Sequence, residues 1–354
     1  MAVPDSKPLI TTIIPTYRRP RVLQRAIKSV LAQTYPHFQV CVYDNASGDE
    51  TATVVRALAK ADPRVKYHCH PENVGGFKNF AYGMERVDTP FFSFLSDDDI
   101  VLPKFYERAL EGFAKYPEAL SSGLATIIVN EKGKVLQIPV LDWQPGLYTP
   151  PEGLLATLKY GEPTWTAILY RREVRERIGG LDEEVGAASD LDLALRVSGR
   201  FPVVISWEPG AVAVAHVISE SRPNLGSTWP GWLKMIRNLT EDERIPCEVR
   251  TYAEQALTQR LQTDLFINHG FRALLHGNWD EALQAAALLR SNYNLKARSR
   301  LLHVSARACQ HFPPSRYIFV GLRTLHRFLV RVNKKTRLLQ RAYGAYASFL
   351  QVRD

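Results

Sequence analysis

The chain has 354 residues, of which 45% are apolar and 23% charged, and a formal net charge of +9. That length holds one large domain with an appendage or two domains, and the composition is that of a core-forming globular protein rather than a disordered or fibrous one. No apolar run reaches the roughly 18 residues that a membrane-spanning helix needs. The start, Met1 to Pro8, is short and polar and has no signal-peptide core. Cys41, Cys69, Cys247 and Cys309 lack metal-ligand spacing. Cys41 and Cys69 fall in expected strands and read as buried thiols in a reducing compartment. The charge is uneven. Residues 291–354 carry 13 Lys and Arg against one acid, a net +12, and the residues before them net −3. An anionic partner is therefore expected for the tail and not for the body.

In chain order, Leu9 to Ile14 is a β-branched strand ended by Pro15. Pro20 opens a helix to about Gln33, with Val22, Leu23, Ala26, Ile27, Val30 and Leu31 on one face. A strand from Phe38 to Tyr43 runs into the turn cluster Asp44-Asn45-Ala46-Ser47-Gly48-Asp49. A helix over about 50–60, a strand at 65–69, a helix at 76–86 and a strand at 91–95 follow. This alternation predicts βαβ units in a mostly parallel sheet with right-handed crossovers. A helix after Pro103 reaches Tyr116, and 121–140 reads as a hairpin turning at Glu131-Lys132-Gly133-Lys134. The Pro-rich stretch 139–151 reads as loop. Then come a helix at 152–160, a strand at 166–170, a helix at 171–178 stopped by Gly179-Gly180, and a helix over 190–197. Strands at 203–207 and 211–215 complete this part, and from about 226 the pattern is helical to the end. A first domain of 1–225 is expected, with a nucleotide-binding half (about 8–120) and an acceptor and catalytic half (121–225). A helical region, 226–354, follows.

Four polar groups sit just after predicted strands: Thr16-Tyr17-Arg18-Arg19, Asp44-Asn45, Asn73 with Lys78-Asn79, and Asp97-Asp98-Asp99. In a parallel sheet all four reach the carboxyl edge, where open α/β sheets bind ligands. Three adjacent carboxylates repel one another, and a hard cation, Mg²⁺ or Mn²⁺, relieves the repulsion. The same acids could equally cap the next helix. No Gly-x-Gly-x-x-Gly follows the first strand and no P-loop is present, so side chains must hold any nucleotide.

The ordered motifs Ile13-Ile14-Pro15-Thr16-Tyr17, Asp44 to Asp49, Asn73-Val74-Gly75-Gly76-Phe77-Lys78-Asn79 and Leu95-Ser96-Asp97-Asp98-Asp99-Ile100 resemble those of family 2 glycosyltransferases of the GT-A fold, over roughly residues 8–220. The resemblance implies an inverting enzyme that takes a sugar from a nucleoside-diphosphate donor of uridine or thymidine type. It implies a base and ribose pocket lined by Pro15, Thr16 and Tyr17, with Asp44 accepting from the base. Asn73 and Arg19 join the donor site, and Lys78 stands where the family usually has Arg. Asp97 or Asp98 would touch ribose and Asp99 the metal, Mn²⁺ or Mg²⁺. Ser96 replaces the family's usual first Asp, so which two of the three acids meet ligand and metal stays open. The segment Ala188-Ser189-Asp190-Leu191-Asp192 resembles the family's catalytic stretch, with Asp190 at the base position and Asp192 as the alternative. His216 stands where relatives hold metal or diphosphate. Trp165 and Gly180 lie where the family meets its acceptor, a saccharide or a lipid-linked one.

The implied chemistry is a single displacement. Asp190 takes the acceptor's proton as its oxygen attacks the anomeric carbon, and the metal neutralises the departing diphosphate. Two other readings compete. A non-catalytic nucleotide-sugar-binding or assembly subunit would keep the fold but lose the base. A sugar nucleotidyltransferase would carry a Gly-rich loop after the first strand, and Pro15 to Arg19 has no glycine. Arg316, Arg323, Arg327, Arg331 and Lys335 form one stripe if 316–335 is helical, which suits either a helix packed on its own domain with Arg outward or contact with an anionic membrane. A cytoplasmic protein is expected, with the inner face of the membrane as the alternative location; the helical region could serve the acceptor site, a homo-oligomer or stability alone, and no nucleic-acid partner is expected.

Overall fold

The structure, a computed structural model, describes residues 9–215, 225–315 and 346. The described residues fall into two compact units, 9–215 with Tyr346, and 225–315.

In the first unit the chain runs β1 (Ile10–Thr16), α1 (Pro20–Leu31), β2 (Phe38–Asp44), α2 (Thr51–Ala61), β3 (Val65–Cys69), α3 (Gly76–Glu85) and β4 (Phe91–Phe94). It continues through β5 (Ile100–Val101), α4 (Phe105–Lys115), β6 (Ser121–Asn130), β7 (Val135–Gln137), β8 (Gly146–Tyr148) and α5 (Glu152–Tyr160). It ends with β9 (Ile168–Arg171), α6 (Glu173–Ile178), α7 (Ser189–Arg200) and β10 (Val203–Ala215). These strands form one sheet in the order β3-β2-β1-β4-β9-β6-β10-β5, with β7 on β6 and β8 on β10. β1 to β4 pair in parallel, as the alternating pattern predicts. Beyond β4 the sheet is mixed. β9 runs antiparallel to β4 and β6, and β10 runs parallel to β6.

β1 is an interior strand, between β2 and β4, and is buried along its whole length. A two-residue period sends Ile10 and Ile14 to one face and Ile13 to the other. Ile10 and Ile14 join Leu23, Ala26, Ile27 and Val30 of α1 and Phe105 of α4. Ile13 joins Met84, Phe92, Phe94 and Tyr170. The α1 residues recur at helical spacing, and Pro20 starts the helix because its missing N–H has no partner to lose there. On the other face α3 comes very close to β1. A Cβ built at Gly83 would stand 2.5 Å from Ile13 Cγ2, so only glycine fits that contact. In register, Thr16 pairs with Asp44 and Asp44 with Cys69, which brings the three loop entrances to one edge.

Three local expectations differ from the structure. The two strands expected at 203–215 are one strand, β10, whose register shifts around Pro209. Proline cannot donate to the ladder, and the chain absorbs that as a bulge rather than a break. The 139–151 stretch contains a 3₁₀ turn, Pro139–Asp142, and the short strand β8 on β10. Cys69 is exposed because β3 is the sheet's outermost strand. Cys41, inside the sheet, is half-buried, and burial pushes its thiol up to about 11.

The second unit holds α8 (Leu225–Thr240), α9 (Cys247–Asp264), α10 (Arg272–His276), α11 (Trp279–Ser291) and α12 (Lys296–His311), with a π-helical stretch, Leu265–Phe271, before α10. Asn278 caps α11 by accepting from the Glu281 N–H at 3.3 Å. The small residues Ala282, Ala285 and Ala286 let α12 approach closely, and Ser299 Oγ donates to the Ala286 carbonyl at 2.7 Å. Among the described residues no helix is long and apolar enough to cross a membrane.

Candidate active site

β4 delivers the three acids. The Leu95 N–H still bonds the Ile13 carbonyl at 3.0 Å, and then the chain turns, with Asp99 N–H on the Ser96 carbonyl at 3.1 Å. Asp97 Oδ2 accepts from Thr16 Oγ1 at 2.8 Å. Arg19 Nη1 donates to Asp97 Oδ1 at 3.2 Å and to Asp98 Oδ2 at 2.8 Å. Asp99 points the other way. Its Oδ2 accepts from Thr166 Oγ1 at 2.8 Å and its Oδ1 from the Val214 N–H at 3.3 Å. One triplet of acids thus ties the loop after β1 to the second half of the sheet.

The electrostatics of the three acids differ. Burial opposes the Arg19 cation, but Asp97 and Asp98 outweigh it and raise its pKa. Burial raises Asp97, with Thr16 and Arg19 pulling against it. Asp99 is buried, and burial with the neighbouring Asp98 and Asp97 charges pushes it up to about 7, against the Thr166 and Val214 bonds. Those two donors are a hydroxyl and an amide, both neutral, so the Asp99 charge is the one that a cation would relieve most. Among the described residues no three His, Cys, Asp or Glu side chains converge into a ready-made metal cage. A hard divalent cation held by one or two carboxylates and completed by substrate phosphate oxygens and water suits this donor set.

The nucleoside side of the edge is laced together. Asp44, 1% exposed, accepts from the Ser47 N–H at 3.0 Å and from the Tyr67 hydroxyl at 2.6 Å. The Asn45 N–H bonds the Thr16 carbonyl at 2.9 Å, and its side chain donates to Asn73 Oδ1 at 2.8 Å and accepts from the Val74 N–H at 2.8 Å. Arg18 adopts φ 55, and its N–H donates to Ser47 Oγ at 2.8 Å. Tyr17 stays 38% exposed, with the Arg18 guanidinium 5.0 Å from its ring centre. Pro15 is buried in β1 opposite Tyr43. Lys78 is exposed and pairs with Glu183 at 3.6 Å, with no contact to the three acids. Asn79 is buried and bonds His70 Nε2 at 2.9 Å and the Tyr43 carbonyl at 2.8 Å, which makes it part of the scaffold.

On the acceptor side, the Trp165 ring packs 4.7 Å from Phe80 and 4.9 Å from Phe94, centre to centre, beneath the turn that carries the acids. Gly179 ends α6 in the left-handed conformation, and the Gly180 carbonyl accepts from Arg196 Nη2 at 3.0 Å. Asp190 is exposed in the first turn of α7, where the helix N-terminus favours negative charge. Its Oδ1 accepts from the Leu191 N–H at 2.8 Å, and its charge adds to burial in raising the Tyr170 phenol. Asp192 is buried against Arg196. His216 lies outside the described residues, as does the 316–335 stripe. The sequence reading did not single out Tyr67, Ser47 or Thr166. Each is an ordinary strand or turn residue by type, and only the three-dimensional pairing gives it a carboxylate partner.

Residues 11–179 match the sequence profile described as glycosyl transferase family 2. Over those residues, just under half of the chain, the protein belongs with the family 2 glycosyltransferases. Crystal structures of Staphylococcus aureus TarS residues 1–349 superpose on it with a TM-score of 0.62 at 14% identity, covering 85% of this chain and 91% of that one. One such TarS structure is a complex with UDP-GlcNAc. At that identity the likeness is one of fold, and the fold is GT-A. Among curated relatives, a Campylobacter jejuni GalNAc(5)-diNAcBac-PP-undecaprenol beta-1,3-glucosyltransferase is 34% identical over 114 residues, 30% of this chain and 36% of that protein. The O-antigen biosynthesis protein RfbC of Myxococcus xanthus is 30% identical over 211 residues, 54% of this chain and 16% of its own length. The chain spans well under half of the length of these relatives.

Proposed function

We propose that this glycosyltransferase domain transfers a sugar from a nucleoside-diphosphate sugar to a hydroxyl of a saccharide or lipid-linked acceptor, with inversion at the anomeric carbon. The observation that carries the reading is the clamp of Asp97 and Asp98 by Thr16 and Arg19 beside the buried, cation-poor Asp99. The relatives supply the substrate classes: TarS binds UDP-GlcNAc, and the Campylobacter enzyme's name carries a diphosphate-undecaprenol acceptor.

Each residue then has a task. Asp44, held rigid by Ser47 and Tyr67, accepts from the uracil or thymine of the donor. Thr16 and Arg19 fix Asp97 and Asp98 for ribose, and Tyr17 offers an exposed ring beside them. Asp99 is the assigned protein ligand of Mg²⁺ or Mn²⁺, with Asp98 its neighbour. When bound, that ion supplies charge neutralisation at the departing diphosphate. Asp190 is the base: it is exposed, it belongs to a short rigid helix, and it takes the proton of the attacking hydroxyl. Asp192 cannot share that task while it is locked to Arg196. Pro15 shapes the pocket through the backbone, and Asn45 and Asn73 shape it through their side-chain hydrogen bond to each other. Lys78, in its exposed pair with Glu183, is assigned no phosphate contact.

A turnover assay with a panel of uridine and thymidine sugar nucleotides and Mn²⁺ tests the reading. Nucleoside diphosphate should be released, and the product's anomeric configuration, read by proton NMR, should be opposite to the donor's. Retention of configuration, or no release with any donor, would count against it.

A further inference from the structure

α12 has a surface that its own unit does not use. Ser299, Leu302, Ser305, Ala306 and Cys309 are buried. At about 100° per residue, Ala297, Leu301, Val304 and Ala308 fall on one stripe beside that face, and all four are exposed. Leu301 is 50% exposed, Val304 59%, and Phe312, the C-cap, 64%. These are the three most exposed large apolar side chains among the described residues, and all belong to this helix and its cap.

Charge borders the stripe. Lys296, Arg300, Arg307 and His311 line its side away from the buried face, and α12 contains no carboxylate. The helix lies within a cationic stretch, residues 291–354, of net +12. Apolar side chains flanked by cations on an exposed helix face match the boundary between lipid headgroups and acyl chains. A second copy docked through the same face would set Arg300 and Arg307 against their own counterparts, which is unfavourable.

We propose that the exposed stripe of α12, with Leu301, Val304 and Phe312 inserted and Arg300 and Arg307 at headgroup level, docks this protein on an anionic phospholipid surface. The proposal stands apart from the transfer reading, since vesicle binding needs neither donor nor metal.

The test is co-sedimentation of the full chain with phosphatidylcholine vesicles, with and without phosphatidylglycerol, at low and high salt. Wild type should bind the anionic vesicles and release in high salt. Each cation removed should weaken binding about fivefold, so Arg300→Gln with Arg307→Gln should cost roughly 25-fold. Leu301→Ser with Val304→Ser should abolish binding while the melting temperature and nucleotide binding stay at wild-type values. Absence of wild-type binding would overturn the proposal. So would full binding by both double variants, which would place the contact elsewhere in the cationic sequence. Dimerisation that is lost in Leu301→Ser/Val304→Ser, without vesicle binding, would assign the stripe to a second copy instead.

Discussion

Arg196 donates to a single oxygen of Asp192, from Nε at 2.7 Å and from Nη2 at 2.6 Å, and both side chains are buried. Its remaining donors reach the Ile178 and Gly180 carbonyls at 3.3 and 3.0 Å. The pair therefore locks α7 to the end of α6 and the glycine turn. Two residues earlier on the same helix, Asp190 is exposed, and its Oδ1 accepts from the Leu191 N–H at 2.8 Å.

Two adjacent substitutions should separate accordingly. Asp190→Asn should abolish turnover with donor affinity and melting temperature nearly unchanged. Asp192→Asn should destabilise the fold by about 3–5 kcal/mol, the cost of leaving one half of a buried ion pair unpaired. Chemical denaturation and a released-nucleotide assay on both variants check this. Normal turnover in Asp190→Asn would remove it as the base.

Asp99 sets a pH dependence. Its pKa is raised in the folded protein, to about 7, against an unfolded value near 4. The folded state then binds the extra proton, so stability contributed by this group is present at low pH and is lost as pH rises from about 4 to about 7. Denaturation midpoints of metal-free protein should fall across that window. Asp99→Asn should flatten the dependence, and excess Mn²⁺ should raise the midpoint of wild type at neutral pH by binding the native state. A metal-free profile identical in wild type and Asp99→Asn would contradict the assignment.

Tyr67 should act as a positioning residue for Asp44. Its hydroxyl holds one carboxylate oxygen at 2.6 Å and the Ser47 N–H holds the other at 3.0 Å. Losing a hydrogen bond to a charged group is worth about 1.5–3 kcal/mol, so Tyr67→Phe should weaken uridine diphosphate binding roughly 10-fold or more. A purely structural role would weaken every nucleotide equally. The expected result, read by calorimetry, is a loss of preference for uridine over cytidine diphosphate.

The backbone of this site was legible in the sequence because its signals are local. Short β-branched or aromatic-bearing runs followed by polar clusters mark β1 to β4, and their spacing gives parallel pairing, which by itself brings Thr16, Asp44 and Asp97 to one edge. The mixed second half was less legible. β9 is four residues long, and β8 lies in a proline-rich stretch that reads as loop. The roles of Thr166, Tyr67 and Arg196 were not legible at all, since each depends on a partner far away in the sequence or on a choice between two neighbouring acids. Lys78 shows the converse. Its motif position suggests a donor contact, and its surface pairing with Glu183 is a second contact that the motif does not indicate.

In the proposed mechanism the acids after β4 hold a nucleoside diphosphate together with a divalent cation. Calorimetric titration of uridine and thymidine diphosphates into wild type and Asp99→Asn, with and without Mn²⁺, tests it most directly. Binding by wild type should strengthen at least about tenfold with Mn²⁺, a gain of about 1.4 kcal/mol, with no such gain in Asp99→Asn. Equal affinity with and without the metal in both proteins, or no binding of either nucleotide, would contradict it.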